Sequence, residues 1–202
     1  MAHDHDHEHH HHDHDHDGHE HEHDEELDEA SEHAIRKRIA LSQVRQYGDP
    51  VLRMTANEVE SFDDELQRVA DRMLELMHDA DGIGLAATQV GILRRLFVFS
   101  NDGEDTVLVN PVITSRGDTL ESSEEGCLSL GSVRVPVERP TEVTIEGKDV
   151  QGEPLTLALE GLPARCVQHE LDHLDGKLII DRTDDASRRE ALRELRPRLV
   201  LG

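Results

Sequence analysis

The chain has no tryptophan, one tyrosine and three phenylalanines among 202 residues. A core built on packed aromatic rings is therefore excluded, and Val, Leu, Ile and Ala must supply most of the buried volume. Two cysteines, Cys127 and Cys166, are too few for a disulfide-stapled secreted scaffold. Reduced thiols and a cytoplasmic location are expected instead. No apolar run approaches the length that crosses a bilayer, and the first residues lack the apolar stretch of a signal peptide. No membrane association is expected.

Residues 1–32 lack Lys and Arg entirely, yet hold twelve of the sixteen His and fourteen of the forty-five acidic residues. Outside them, thirty-one acids face twenty-one bases, so the body remains acidic by about ten charges. Such a body repels phosphate and is a poor general binder of nucleic acid. Contact with a ribonucleoprotein would need a local basic patch. The Arg-rich end, with Arg188, Arg189, Arg193, Arg196 and Arg198, is the one dense basic stretch. It suits weak, salt-sensitive contact with the RNA of such a particle, or equally an amphipathic helix packing through Ala191, Leu192 and Leu195.

The tail alternates His with Asp and Glu, as in His3-Asp4-His5-Asp6-His7-Glu8. It has too few apolar residues to offset the entropy of ordering a backbone, so residues 1–32 are expected to be disordered. They are either a solvated acidic tail or a tract that binds additional divalent metal through neutral imidazole.

Residues 33–202 read as a single domain. Leu66, Val69, Ala70, Met73, Leu74 and Met77 recur at helical spacing over residues 63–80, with Ser61 or Asp63 as cap. Residues 96–99 and 106–109 read as buried strands around the turn at Asn101-Asp102-Gly103. Residues 143–146 and 155–159 flank a polar, Gly-containing turn and suggest a hairpin. Residues 162–174 read as a helix with Pro163 in its first turn, and residues 185–195 as a shorter one. Without a regular strand–helix alternation, the fold class is α+β, with antiparallel sheets packed around the helix that carries His169 and His173.

That helix holds the strongest chemical signal, Gln168-His169-Glu170-Leu171-Asp172-His173. Two His four residues apart project from one helix face, close enough to share an ion. Glu170 stands beside the first of them. The flanking Cys166, Val167 and Leu174 predict partial burial, and buried polar groups need partners that a metal can supply. A third ligand is required, and both thiols compete for it. Cys127 sits in Glu124-Glu125-Gly126-Cys127-Leu128-Ser129; Cys166 lies three residues before His169, in apolar surroundings that suit a small buried hydrophobe. A third segment, Gly82-Ile83-Gly84-Leu85-Ala86-Ala87-Thr88-Gln89, permits close backbone approach and ends in an amide donor.

In their order, GIGLAATQ, EGCLS and QHELDH resemble the three signature motifs of peptide deformylases. The resemblance spans roughly residues 41–182 and includes Gly48-Asp49-Pro50-Val51-Leu52-Arg53. It implies a metal-dependent hydrolase that removes the formyl group from N-formylmethionyl nascent peptides and releases formate. It makes Cys127, His169 and His173 the metal ligands and Glu170 the catalytic acid–base. It makes the Gln89 side chain and the Leu128 N–H the oxyanion donors. Ile83, Gly84, Gly126 and Arg134 would meet the substrate. Leu162, Arg165 and Cys166 would shape, with Ile83, the methionine pocket. Glu125 and Arg139 would form a supporting ion pair. The cofactor implied is one divalent ion, Fe2+ first, with Zn2+, Ni2+ or Co2+ as alternatives. Two features depart from the family pattern: Gly131 follows Ser129-Leu130 where many relatives have Pro in this loop, and the His-rich extension has no family counterpart.

A zinc metallopeptidase also uses a His-Glu-x-x-His helix. It usually adds a third His or Glu, and His78 is the one other His beyond residue 33. A metal-storage protein would explain the tail but would leave Glu170, Gln89 and the Cys127 segment without a purpose.

Overall fold

The computed structural model describes residues 20–101 and 103–196, with side chains from residue 29 onward. Residues 1–19 of the expected disordered tail, Asp102 of the expected turn and Arg198 of the basic stretch lie outside the described residues. The chain divides into two units, Met1–Ile35 and Arg36–Gly202. A helix, α1 (Glu20–Gln43), begins within the segment expected to be tail. Its Glu- and Ala-containing sequence has no proline or glycine to interrupt the backbone.

Helix α2 (Asp64–Asp79) forms where the apolar spacing places it. The Asp63 carboxylate accepts the N–H groups of Glu65 and Leu66 at its start. Its buried stripe of Leu66, Ala70, Met73, Leu76 and Met77 covers one face of a five-stranded antiparallel sheet. The strands are β1 (Gly84–Ala86), β2 (Leu96–Asn101), β3 (Glu104–Arg116), β6 (Glu142–Lys148) and β7 (Pro154–Glu160), in the order β1-β2-β3-β6-β7. Along β2 the period of two divides the core: Leu96 and Val98 face the α2 cluster, while Phe97 and Phe99 face the other side. That second side is packed by α3 (Gly161–Leu174) through Ala164, Cys166, Val167 and Leu174. The hairpin and the His-bearing helix thus stand as expected. Strand β3 is longer than expected, and irregular near Asn110, which has a positive φ of 53°.

Three strands escaped the sequence reading, the short β1 and two that stand apart from the sheet. β4 (Leu120–Gly126) and β5 (Arg134–Pro140) pair as a separate antiparallel ribbon, with Glu125 opposite Val135 and Gly126 opposite Arg134. β4 shows no apolar alternation and β5 contains Pro136 and Pro140, so neither carries an ordinary strand signature. One face of β5 nonetheless buries Val135 and Val137 against Leu178, Ile179 and Ile180. Helix α4 (Asp185–Glu194) closes this region, with Ala191 buried in the same cluster.

Candidate metal centre and active site

Helix α3 presents Cys166, His169, Glu170 and His173 at positions i, i+3, i+4 and i+7, one stripe of the helix. The ribbon delivers the remaining group. β4 ends at Gly126, and the next residue, Cys127, caps a short turn whose Ser129 N–H lies 3.4 Å from its sulfur. The Cys127 Sγ is 3.2 Å from His173 Nε2, and the two Nε2 atoms of His169 and His173 are 3.2 Å apart. All three ligand atoms lie within 4.8 Å of one another. Cys166 stays outside this cluster, its thiol 3.4 Å from the Ile83 carbonyl.

The donor set fits a metal ion. Three electron-rich atoms converge in a buried place, and at most one of two facing ring nitrogens can donate a proton to the other. N and S donors held at ~2.0–2.3 Å from one tetrahedral ion would themselves sit roughly 3.3–3.6 Å apart, close to the separations found. His169 Nδ1 lies 3.1 Å from the Glu125 carboxylate, which orients the ring and turns Nε2 towards the other two donors. Burial opposes charging His169, but hydrogen bonds with Cys127 and Glu125 overcome it and raise its pKa well above the usual imidazole range. His173 shifts the other way, driven down by burial and by positive His169.

Behind the three donors stands a chain of charges, buried at Glu125, Arg139 and Asp172. Arg139 grips Glu125 through two hydrogen bonds of 2.6 and 2.9 Å and reaches Asp172 at 2.9 Å. Arg182 holds Asp172 through Nε, at 3.0 and 3.2 Å, and through Nη2. Burial would raise the Glu125 pKa, yet the bonds from Arg139 and His169 prevail and hold it at about 2. The sequence reading found Glu125 and Arg139 but missed Asp172 and Arg182. Asp172 was visible inside the motif, since a buried helix face leaves its carboxylate in need of a cation.

Glu170 behaves differently from Glu125. Its Oε2 is buried without a protein hydrogen-bond partner. Burial pushes its pKa up to about 7, against the lowering effect of His169 and Arg139. Gly84 makes room for it: a Cβ there would stand 2.5 Å from Glu170 Oε1 and 2.7 Å from Cys166 Sγ. Gln89 is held by its own carbonyl oxygen, which accepts the Ala86 N–H at 2.8 Å. Its amide nitrogen is thereby aimed at Ser129 Oγ, 3.2 Å away, and towards Cys127 Sγ, 3.6 Å away.

A cleft of about 930 Å³ opens over this cluster and includes Gln89, Leu128, His169 and Glu170 in its wall. Ile83, Gly84, Gly126, Arg134, Leu162, Arg165 and Cys166, the expected substrate residues, all line it. Ile83 and Leu162 are exposed apolar residues at its edge. The Arg165 head is occupied by Glu125, by the Val137 carbonyl and by the Glu121 carbonyl, which leaves its stem for the cleft. Residues Arg45–Tyr47, absent from the expectations, bond to both Gln89 and the Leu128–Ser129 turn. Their backbone groups carry most of this, and backbone bonding leaves no sequence signal.

A donor set that favours a cation, set beside a carboxyl able to hold or release a proton near neutrality, defines a metal-dependent hydrolase. The family model for polypeptide deformylase matches residues 41–189. A peptide deformylase of Thermotoga neapolitana is 47% identical over 146 residues, covering 72% of this chain and 89% of the relative. One from Parafrankia is 41% identical over 159 residues, covering 78% and 87%. Among solved structures, the Synechococcus elongatus peptide deformylase in complex with actinonin superposes with a TM-score of 0.72 at 44% identity, covering 75% of this chain and 85% of that one. Arabidopsis thaliana peptide deformylase 1B gives 0.73 at 40% identity, covering 76% and 87%. The chain belongs to the peptide deformylase family. Its reaction is removal of the formyl group from the N-terminal formylmethionine of newly made proteins, with release of formate.

Proposed function

We propose that Cys127, His169 and His173 hold the catalytic metal ion, that Glu170 carries the proton, and that the Gln89 amide and the Leu128 N–H receive the oxyanion. The observation that supports this most is the convergence of the three donor atoms beside a buried Glu170 oxygen with no other partner. A divalent ion held there supplies Lewis acidity, bringing the pKa of water from 15.7 to about 7. Glu170 accepts the proton of the attacking water, and a carboxyl with a pKa near 7 is suited to take it and give it back. The water oxygen bonds to the formyl carbon. Gln89 and Leu128 donate hydrogen bonds to the carbonyl oxygen as it gains charge. The carbon–nitrogen bond then breaks, Glu170 returns the proton to the leaving amine, and formate and a free N-terminal methionine result. Ile83, Leu162, Cys166 and the Arg165 stem receive the methionine side chain. Gly84 and Gly126 meet the peptide backbone, and Arg134 lies at the substrate's edge.

The ion is ferrous iron in this reading, with Zn2+, Ni2+ or Co2+ as substitutes. The mixed thiolate and imidazole set accepts each of them. Residues 33–202 act as the single catalytic domain, in the cytoplasm, where both free thiols stay reduced. No described helix is long and apolar enough to cross a membrane. Arg188, Arg189, Arg193, Arg196 and Arg198 offer a ribosomal RNA contact, although Ala191, Leu192 and Leu195 of the same segment already pack inward. The His-rich N-terminus binds extra divalent metal reversibly and is dispensable for turnover. Metal analysis of anaerobically purified protein, paired with a formate-release assay on a formyl-methionyl peptide, tests the core of this reading. Iron at one per chain with formate release is the expected result; internal peptide cleavage without formate would overturn it.

A further inference from the structure

The two groups that would receive the oxyanion come from different parts of the chain. Gln89 sits in a short helical turn after β1, and Leu128 follows the cysteine that leaves the ribbon. Their segments meet directly through the Gln89 amide, 3.2 Å from Ser129 Oγ and 3.6 Å from Cys127 Sγ. A third segment ties them from outside. The Arg45 N–H donates to the Gln89 backbone carbonyl at 2.7 Å, and the Tyr47 N–H donates to the Ser129 carbonyl at 2.8 Å. Between them, the Gln46 amide donates to the Leu128 carbonyl at 3.1 Å and to the Val44 carbonyl at 3.1 Å, so both of its N–H bonds are used. Gln46 and Leu128 both line the cleft.

We infer that residues Arg45–Tyr47 form a strap that sets the spacing of the oxyanion donors, and that Gln46 is its positioning side chain. The inference rests on the assignment of Gln89 and Leu128 to the oxyanion. The Leu128 carbonyl belongs to the peptide plane next to the one whose N–H would donate. Holding that carbonyl therefore limits rotation of the donor about the Leu128 backbone. Preorganisation of this kind acts on the transition state and leaves ground-state binding alone. Gln46 is itself solvent-exposed, so its contribution is that of one ordinary net hydrogen bond.

The test uses the full, metal-loaded chain with formyl-Met-Ala-Ser as substrate and Met-Ala-Ser as a product probe that carries no formyl oxygen. Gln46→Met, unbranched and without a donor, lowers kcat about 5-fold, the factor that one net hydrogen bond provides. KM, Met-Ala-Ser binding and the melting temperature stay unchanged. Gln46→Arg, which restores an N–H donor at that reach, recovers most of the loss. Gln89→Leu alone lowers kcat by about 10²-fold or more, and in that background Gln46→Met has an effect of less than about 2-fold, because neighbouring groups acting on one oxyanion are not additive. Full kcat in Gln46→Met beside an impaired Gln89→Leu overturns the strap while the oxyanion assignment stands. An undiminished 5-fold loss in the Gln89→Leu background, or a loss carried by KM or by the melting temperature, also overturns the strap. Normal turnover in Gln89→Leu overturns the assignment itself, and the strap with it.

Discussion

The five-stranded sheet and the two-stranded ribbon are held in place by opposite means. In the sheet, consecutive residues Leu96 to Phe99 are fully buried, with α2 covering one face and α3 the other. Apolar burial is strong but carries little direction, and it tolerates small shifts. The ribbon buries Val135 and Val137, but the next residue on the same face is Arg139. Its tie to α3 runs through Arg139 to Asp172 and through Glu125 to Arg165 and His169. Buried ion pairs add little net stability, because desolvation cancels most of their attraction, but their geometry is strict. The sheet therefore stabilises the domain, while the ribbon aligns Cys127 and Glu125 with the two histidines of α3.

The sharpest way to break this comparison is to remove a group that the ribbon or the helix delivers. Cys127→Ala is expected to lose its bound metal and to lower turnover by more than the 10–100-fold typical of an outer partner. Metal content after gel filtration checks it. Glu170→Gln is expected to keep the metal and still lose about 10²–10⁴-fold in kcat, as formate release will read.

Next come two substitutions of similar cost and different meaning. Arg139→Met removes the cation shared by Glu125 and Asp172 and leaves them to Arg165 and Arg182 alone, so it should destabilise the fold by at most the ~3–5 kcal/mol of an unpaired buried charge. It should also speed metal loss to a chelator, since Glu125 would no longer hold His169 firmly. Leu108→Ala, in the sheet core, should cost about 2–5 kcal/mol in urea unfolding. Metal retention and kcat of the folded fraction should not change. Equal metal loss in both variants would erase the distinction between the two regions.

The smallest expected effect concerns pH. Burial would raise the Asp181 pKa, but Arg53, the Leu178 N–H and Arg188 hold it below the ordinary value. A depressed carboxyl contributes stability above its unfolded pKa of about 3.9, and that contribution is lost as pH falls through the folded value. Asp181→Asn should thus lower stability slightly at neutral pH and flatten its decline below about pH 4. Acid unfolding followed by circular dichroism checks this.

Legibility in the sequence followed the same division. Helix α2, the hairpin of β6 and β7, and α3 were visible because apolar burial writes a period of 3.6 or 2 into the chain. The ribbon was not, since Glu125, Arg139 and two prolines stand where a strand pattern needs apolar residues. In the site, His169 and His173 were legible from helical spacing alone. The choice of Cys127 over Cys166 came from the family resemblance, because two separate strands decide which thiol reaches the histidines. The strap was invisible, since most of it is made of N–H and C=O groups that every residue has.

The stripe on α3 has a mechanical consequence. Cys166, His169, Glu170 and His173 are carried by one rigid rod, each position fixed by a rise of about 1.5 Å per residue. Two candidate ligands, the proposed proton carrier and a wall of the cleft are thus in mutual alignment as soon as the helix winds. Thermal tilting or sliding of that rod moves all four together and leaves their relations intact. Tolerance is tight only where a part arrives on a separate support, as Cys127 and Gln89 do. Grafting this site onto another scaffold would therefore be limited by two docking errors and hardly at all by the helix itself.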